Sequence, residues 1–291
     1  FFVRARLSAD NPMTFGGLLT VPEFQTTIPN APTCTKLSQD DDVDYTVVTQ
    51  LSDNRLWMME HHCQRWPHYI SMAILTNSTT NQIMRKLEDM GCDASKITVQ
   101  TLRNHALDDY PVNALRNMAI SAVTTSHIVY LDIDFWPSDD LLSVLQTNNI
   151  RHHLVQDDKT ALVIPAFQIM RFCREWRECP EKNIPKMPRN TSQLVSLVNK
   201  HQASPFDPTN PGGHGSTLYK AWSKQQQTRN ILLQLPCVQS NRYEPYLVFR
   251  YCDVLPPFQV QFSGYGKNKM TWVMHLLRKG YKLFQLPRAF I

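Results

Sequence analysis

Two carboxylates one residue apart, Asp132 and Asp134, are the side chains of this chain best placed to do chemistry. They follow the apolar run 127–131, whose β-branched and aromatic residues predict a buried strand that Pro137 ends. In open α/β sheets, ligands bind just beyond the carboxyl ends of strands. Carboxylate oxygens there suit a divalent cation that also holds phosphate oxygens. One aspartate can face the metal while the other binds it directly, through water, or turns to a ribose hydroxyl.

A short Asp-x-Asp motif also arises by chance, and aspartates at strand ends often only make turns. The element before the strand favours the functional interpretation. Pro111 opens a predicted helix with a buried apolar stripe. Asn113 and Arg116 lie off that stripe, and solvated polar residues are the ordinary explanation for them. Because the helix leads directly into the Asp-x-Asp strand, Arg116 is also a candidate for contact with a nucleotide.

Apolar runs and helical periodicity alternate along the chain from Val43 onward. Further strands are predicted at 45–51, 69–75, 97–102, 161–167, 246–251 and 281–286, and helices at 53–66, 82–90, 139–145, 193–200 and around 270–277. This alternation predicts an α/β fold with a largely parallel sheet and helices on both faces. We expect residues 1–42 to form a stem or irregular extension and residues 43–291 to form one catalytic domain that continues beyond Ile291.

The 291 residues, 42% of them hydrophobic, are enough for a sizeable core. The formal net charge of +5 comes without a dense run of Lys and Arg, so the composition does not indicate nucleic acid and suits an anionic ligand such as a nucleotide diphosphate. The chain has neither a Walker loop nor a Gly-x-Gly-x-x-Gly motif. A diphosphate must then be held in another way, and a metal on the Asp-x-Asp is the obvious one.

The seven cysteines contain no Cys-x-x-Cys pair, which argues against zinc and thioredoxin-like sites, and their odd number leaves at least one thiol unpaired. Cys63 is expected to be a small core residue, whereas Cys173 and Cys179 are close enough in sequence to form a bridge. Two glycosylation sequons begin at Asn77 and Asn190. No window is apolar and long enough to span a membrane, and no signal peptide is visible.

Several stretches, taken together, resemble glycosyltransferase family 49, the family of LARGE-type glucuronyltransferase domains and of a β-1,4-glucuronyltransferase. The matching pieces run in family order from about residue 43 to the end, at 46–52, 110–120, 130–137, 163–167, 213–214, 243–246, 262–269 and 286–287. The resemblance implies a GT-A fold, a Rossmann-like, mostly parallel mixed sheet. It also implies a UDP-sugar donor, Mn²⁺ (with Mg²⁺ as an alternative), a glycan or glycoprotein acceptor, inversion by the members that transfer glucuronic acid, and a Golgi lumenal enzyme on a type II membrane anchor outside this chain.

The resemblance also implies site residues. Asp132 and Asp134 would bind the metal, Asp132 on the donor side, and Thr49, Gln50, Arg55, Asn113 and Arg116 would line the nucleotide site. The acceptor and the transferred sugar would lie near His214, Glu244, Gly264, Gly266 and Asn268.

Three departures from the family pattern affect this expectation. Lys267 stands where the family usually has an aromatic residue, and Gln259 stands where it has an acidic one. Both lie on the acceptor side, so the sugar and the linkage are open. The family places a metal-binding histidine just beyond the segment that matches 286–291.

The mechanism predicted from these residues is a metal-dependent, inverting glycosyl transfer, with glucuronic acid as the best candidate for the transferred sugar. The metal and Arg116 would neutralise charge on the UDP leaving group. Glu244 is the candidate base for the acceptor hydroxyl, and its alternative role is to cap the turn at 243–246. Two other readings stay open: a family member that binds nucleotide or glycan without turnover, and a HAD-type phosphohydrolase, whose further downstream acidic pair is not evident here.

Overall fold

A computed structural model describes residues 25–103, 110–225, 231–262 and 266–291. Ten strands lie in these ranges: β1 (Tyr45–Ser52), β2 (Tyr69–Leu75), β3 (Ile97–Leu102), β4 (His127–Tyr130), β5 (Thr160–Ile164), β6 (Phe167–Ile169), β7 (Ala203–Pro205), β8 (Leu233–Gln234), β9 (Tyr246–Arg250) and β10 (Lys282–Gln285). Ten α-helices accompany them: α1 (Met59–Arg65), α2 (Thr80–Asp89), α3 (Val112–Ser121), α4 (Leu141–Leu145), α5 (Asn148–Gln156), α6 (Cys179–Asn183), α7 (Thr191–Asn199), α8 (Pro211–His214), α9 (Tyr219–Gln225) and α10 (Asn268–Arg278).

Eight strands form one mixed sheet in the order β3-β2-β1-β4-β9-β5-β10-β8, and β6 and β7 form a separate antiparallel pair. The pairs within β3-β2-β1-β4 and the pair β5–β10 are parallel. Strand β9 is antiparallel to both of its neighbours, β4 and β5. Its first residues therefore lie at the same edge of the sheet as the last residues of β4. The predicted α/β architecture of GT-A type, with a mostly parallel mixed sheet, is confirmed.

Helices cover both faces of this sheet. Val48 of β1 is paired in register with Ser71, whose hydroxyl donates to the Ala119 carbonyl of α3 at 2.7 Å. Tyr45 lies three residues from Val48 and so points to the opposite face. There its hydroxyl donates to the Leu145 carbonyl of α4 at 2.7 Å. The strand residues between these helices are almost wholly buried and form the core.

Two predicted elements differ in detail. The helix expected at 53–66 is a 3₁₀ segment, Asp53–Met58, followed by α1. The strand expected at 161–167 ends at Ile164, because Pro165 cannot donate to the ladder, and Phe167 begins β6 in a different sheet.

Three disulfides connect cysteines in the described ranges: Cys34–Cys252, Cys63–Cys92 and Cys173–Cys179, and Cys237 is an exposed free thiol. The expectation that Cys63 is only a small core residue was wrong, since it bonds a cysteine 29 positions away. Helical periodicity located its buried side but not its partner. No helix in the described parts of the chain is both long and apolar enough to cross a membrane.

Candidate active site

Asp132 is the second residue after β4 and is held by four hydrogen bonds. Its Oδ1 accepts from Arg116 Nη2 at 3.1 Å and from the Tyr130 hydroxyl at 2.9 Å. Its Oδ2 accepts from the Tyr246 hydroxyl and from Lys269 Nζ, both at 3.0 Å. Burial opposes ionisation, but the charges of Lys269 and Arg116 outweigh it and hold the pKa of Asp132 well below its usual range. Asp132 is therefore a carboxylate fixed in one orientation.

The sheet topology brings these donors together. Tyr130 and Asp132 are two residues apart, so they share the face of the sheet that α3 covers. The antiparallel direction of β9 puts its first residue, Tyr246, beside the end of β4, where Tyr130 pairs with Leu247. Lys269 enters from the first turn of α10 with its side chain 7% exposed, and its ammonium lies 3.8 Å from the centre of the Tyr246 ring.

Arg116 is fixed from the other side by α3. Its Nη1 donates to Asn113 Oδ1 at 3.0 Å, and Asn113 Nδ2 donates to the Gln259 carbonyl at 2.8 Å. The guanidinium lies 5.1 Å from the centre of the Phe258 ring and 5.6 Å from that of Tyr130. The side chain is 7% exposed. Arg116 and Asn113 thus position Asp132, and the nucleotide contact predicted for them from the sequence stays a prediction.

Asp134 stands in a different environment, with its side chain 47% exposed and facing Arg55 Nη1 at 3.6 Å. Partial burial and the charge of Asp132 raise its pKa, and Arg55 opposes that shift. A half-exposed carboxylate without a tight partner fits a divalent cation. For Asp132 to bind the same cation, it would have to give up one of its four hydrogen bonds. Among the described residues, no group of three metal-binding side chains includes either aspartate, and the one such group found, Cys34, Cys252 and Asp253, contains a disulfide.

Glu244 precedes β9 at the same edge of the sheet. Its backbone nitrogen donates to the Gly213 carbonyl at 2.8 Å, which joins it to the end of α8. Its carboxylate accepts no hydrogen bond from the described part of the chain. Burial raises the pKa of Glu244, and the positive charge of Lys269 opposes this. A partly buried carboxylate with raised pKa and free oxygens can act as a general base.

His214 ends α8 and is 6% exposed. Its ring centre lies 5.0 Å from that of Phe206 and 6.3 Å from that of Tyr246. Burial first, and then the charge of Lys269, lower the pKa of His214 to about 4. The imidazole is therefore neutral near pH 7, where it packs beside Tyr246 and carries no charge into the site.

The two site residues predicted in β1, Gln50 and Thr49, lie on opposite faces of the sheet. Gln50 accepts a hydrogen bond from the hydroxyl of Tyr110, just before α3, and so lies beside the Arg116 face. Thr49 points to the opposite face of the sheet, fully buried, and its hydroxyl has no partner among the described residues.

The loop before α10 carries the remaining predicted residues. Gly264 lies outside the described residues. Gly266 has φ +97°, a left-handed conformation that favours glycine, and Lys267 follows with φ +62°. This turn ends at Asn268, which is 6% exposed and begins α10 one residue before Lys269. The loop geometry therefore delivers Lys269 to Asp132.

A cavity of about 340 Å³ opens beside Asp134. Its walls include the aromatic rings of Phe135, Trp136, Phe167 and Phe206. The space is of the size that small-molecule ligands use, and flat apolar walls next to a carboxylate suit a sugar ring.

Sequence reasoning assigned no role to three residues that the structure places on Asp132: Tyr130, Tyr246 and Lys269. The signal for Tyr130 was available, because a residue two positions before Asp132 shares its face. Lys269 is 137 positions away from Asp132, and no local pattern links the two.

A family model and several known proteins match most of this chain. Residues 84–291 match a family model described as glycosyl-transferase for dystroglycan. The mouse xylosyl- and glucuronyltransferase LARGE2 is 31% identical over 253 residues, which are 85% of this chain and 34% of that protein. Mouse LARGE1, of the same description, is 28% identical over 257 residues. The chain spans about a third of the length of these relatives.

Among solved structures, S. aureus TarS residues 1–349 superpose with a TM-score of 0.43 at 8% identity, covering 85% of this chain and 60% of that one. The same region of TarS in complex with UDP-GlcNAc gives a TM-score of 0.40 at 8% identity, over 86% of this chain and 58% of that one.

Proposed function

The chain belongs to the glycosyltransferase family described as acting on dystroglycan, and from that membership we propose that it is a metal-dependent, inverting transferase that moves a sugar from a UDP-sugar to a glycan acceptor. Glucuronic acid is the proposed sugar, because relatives such as LARGE2 are named as xylosyl- and glucuronyltransferases. Mn²⁺ is the proposed metal, with Mg²⁺ as the alternative.

The observation that supports this proposal best is the contrast between the two aspartates. Asp132 is locked between Arg116 and Lys269, while Asp134 is half-exposed beside a cavity. A rigid strand end with one open carboxylate, next to buried positive charge, suits a diphosphate and its cation. The same edge of the sheet holds Glu244, which gives the site a candidate base.

In the proposed reaction, the acceptor hydroxyl oxygen attacks the anomeric carbon while the bond from that carbon to the UDP oxygen breaks. The hydroxyl proton passes to the Glu244 carboxylate. The electron pair of the broken bond remains on UDP, where Lys269 and Arg55 contribute positive charge. Arg116 acts through Asp132. When bound at Asp134, a divalent cation supplies further positive charge for the leaving diphosphate.

Three disulfides support a place in the secretory pathway, since such bonds persist in oxidising compartments. We therefore propose the Golgi lumen as the location, with a type II anchor outside this chain. The exposed sequon residue Asn77 is compatible with glycosylation there.

A second candidate function is binding of nucleotide or glycan without turnover. It is favoured by the absence, in the described ranges, of a third metal-binding side chain beside the two aspartates. Fewer ligands mean weaker metal binding and less stabilisation of the leaving group.

The deciding experiment measures UDP release by the full-length protein from a panel of UDP-sugars with Mn²⁺ and with a chelator. Metal-dependent release from one donor supports the transferase and identifies its sugar. UDP binding that needs metal but gives no release supports the binding-only alternative. Absence of any UDP binding contradicts the transferase and a nucleotide-binding role, and leaves only glycan binding.

A further inference from the structure

A second cavity, of about 480 Å³, lies at the edge of the sheet opposite to the candidate active site. Asp44 and Ser126, which precede β1 and β4, line it together with Arg250 at the end of the antiparallel β9. Asp132 lies six positions after Ser126, so the two sites are roughly 20 Å apart along this strand. The family comparison and the proposed mechanism assign it no role.

The wall of this cavity is tied to the core. The disulfide Cys34–Cys252 joins the segment before β1 to the residue pair after β9. The Asp253 nitrogen donates to the Pro32 carbonyl at 2.8 Å, and Arg250 Nη2 donates to the Thr35 carbonyl at 3.2 Å. The 32–35 segment is therefore fixed in place, and the cavity is a built feature of the fold.

Buried polar groups at the cavity lack hydrogen-bond partners among the described residues. Arg250 is 6% exposed, and its Nε and Nη1 make no hydrogen bond. Its nearest opposite charge is Asp158, whose Oδ1 is 3.7 Å from Nε. Tyr251 is 2% exposed, and its hydroxyl is also unpaired. Leaving such groups unpaired is costly. These particular atoms lie behind the cavity wall, shielded from solvent, so hydrogen bonds to a ligand would come from the other polar groups that line the cavity.

The charges around the cavity select the class of ligand. An anion in the cavity would be repelled by the carboxylates of Asp42 and Asp44, and a cation would be repelled by the guanidinium of Arg250. A hydroxyl group donates one hydrogen bond and accepts others, so a neutral polyol satisfies both kinds of lining group. The ring of Tyr69, 40% exposed, adds a flat apolar face at the rim.

We propose that this cavity is a non-catalytic site for one or two neutral sugar units of a glycan. The volume is within the range of ligand sites, and a carboxylate, a guanidinium and an exposed aromatic ring together match a pyranose, which has hydroxyls at its rim and C–H groups on its faces. The site would hold a glycan away from the catalytic edge. Binding here needs neither donor nor metal, so it stands apart from the proposed function.

The test is ligand-observed NMR titration with methyl β-xyloside as the neutral probe and methyl glucuronide as its anionic counterpart, without nucleotide or metal. The xyloside is expected to bind with a dissociation constant on the order of 1 mM, which is the strength of a few hydrogen bonds. Tyr69→Ala is expected to weaken binding about fivefold, while Tyr69→Phe retains it because the ring remains. Arg250→Lys is expected to weaken binding as well, because a lysine ammonium cannot reproduce the planar, forked donor geometry of the guanidinium.

Asp134→Asn distinguishes this cavity from the active site, since it should leave xyloside binding unchanged. Thermal unfolding of each variant separates lost binding from lost folding. The proposal is overturned by absence of xyloside binding, by preference for the glucuronide, by loss of binding in Asp134→Asn, or by equal affinities of wild type and a folded Tyr69→Ala.

Discussion

The Lys269 ammonium lies 3.0 Å from Asp132 Oδ2, although 137 positions separate the two residues. Both side chains are largely buried, at 7% and 18% exposure. With Arg116 on the other oxygen, this pair makes Asp132 an electrostatic anchor between α3, β4 and α10. Asp134, two residues on, is left open to ligands. The two halves of the Asp-x-Asp motif therefore have different physical roles.

This difference predicts that replacing Asp134 and replacing Asp132 have different effects on turnover and on stability. Asp134→Asn should lower Mn²⁺-dependent UDP release on the order of 100-fold, because the open carboxylate is lost, and should leave thermal unfolding nearly unchanged. Asp132→Asn should lower the unfolding temperature too, since two buried cations lose their shared anion. Asp139→Asn, an exposed residue paired with Arg189, is the matched control and should leave turnover unchanged. Equal loss of stability in both site variants contradicts the assignment.

Lys269→Met should destabilise the protein by about 3 kcal/mol at pH 7, because it removes one partner of a buried ion pair. The depressed pKa of Asp132 gives stability that is present above its unfolded pKa and is lost as pH falls toward the folded value. In Lys269→Met, Arg116 is the remaining charge that opposes the burial of Asp132, so the pKa of Asp132 rises and the side chain takes up a proton at a higher pH than in wild type. The gap in stability between wild type and Lys269→Met should therefore shrink as pH falls through that raised pKa. Urea unfolding at a series of pH values from 7 to 3 measures the gap, and a gap that stays constant over this range would contradict the raised pKa of Asp132 in the variant.

Glu244→Gln should lower kcat by about 100-fold to 10,000-fold, the range for loss of a general base, while UDP affinity stays within about twofold. Burial raises the Glu244 pKa, so the acid limb of the wild-type rate profile should lie above the ordinary glutamate value, and the base works only above that limb. The neutral His214 should add no further limb near pH 6.5. Glu88→Gln, on the exposed side of α2, serves as control. Unchanged turnover in Glu244→Gln would contradict the assignment of Glu244 as the base and would leave capping of the turn at 243–246 as its role.

Replacing Cys63 and Cys92 together by serine should cost about 3 kcal/mol of unfolding free energy, because their bond closes a loop of 29 residues. Cys237→Ser should change stability by less than about 0.5 kcal/mol, since this cysteine is exposed and unbonded. Chemical unfolding under non-reducing conditions measures both. If the double variant is as stable as wild type, the bond does not constrain the unfolded chain.

Much of the fold could be predicted from local patterns. The strand before Asp132 and the alternation of strands with helices are local features, because burial on both faces gives continuous apolar runs and helices repeat every 3.6 residues. The place of β9 could not be predicted in this way. Its apolar sequence is compatible with either direction, and only pairing with β4 and β5 makes it antiparallel.

The residue pattern identified the side chains that could do chemistry: a carboxylate pair at a strand end, and polar residues on the helix before it. Their roles depend on contacts that form only in the folded chain. It placed Lys269 and Tyr246 on Asp132, left Asp134 open, and joined Cys34 to Cys252 across 218 positions. The physical reason is that charge pairing and disulfide formation depend on distance in space. That distance is set by sheet order and strand direction, which no local periodicity encodes.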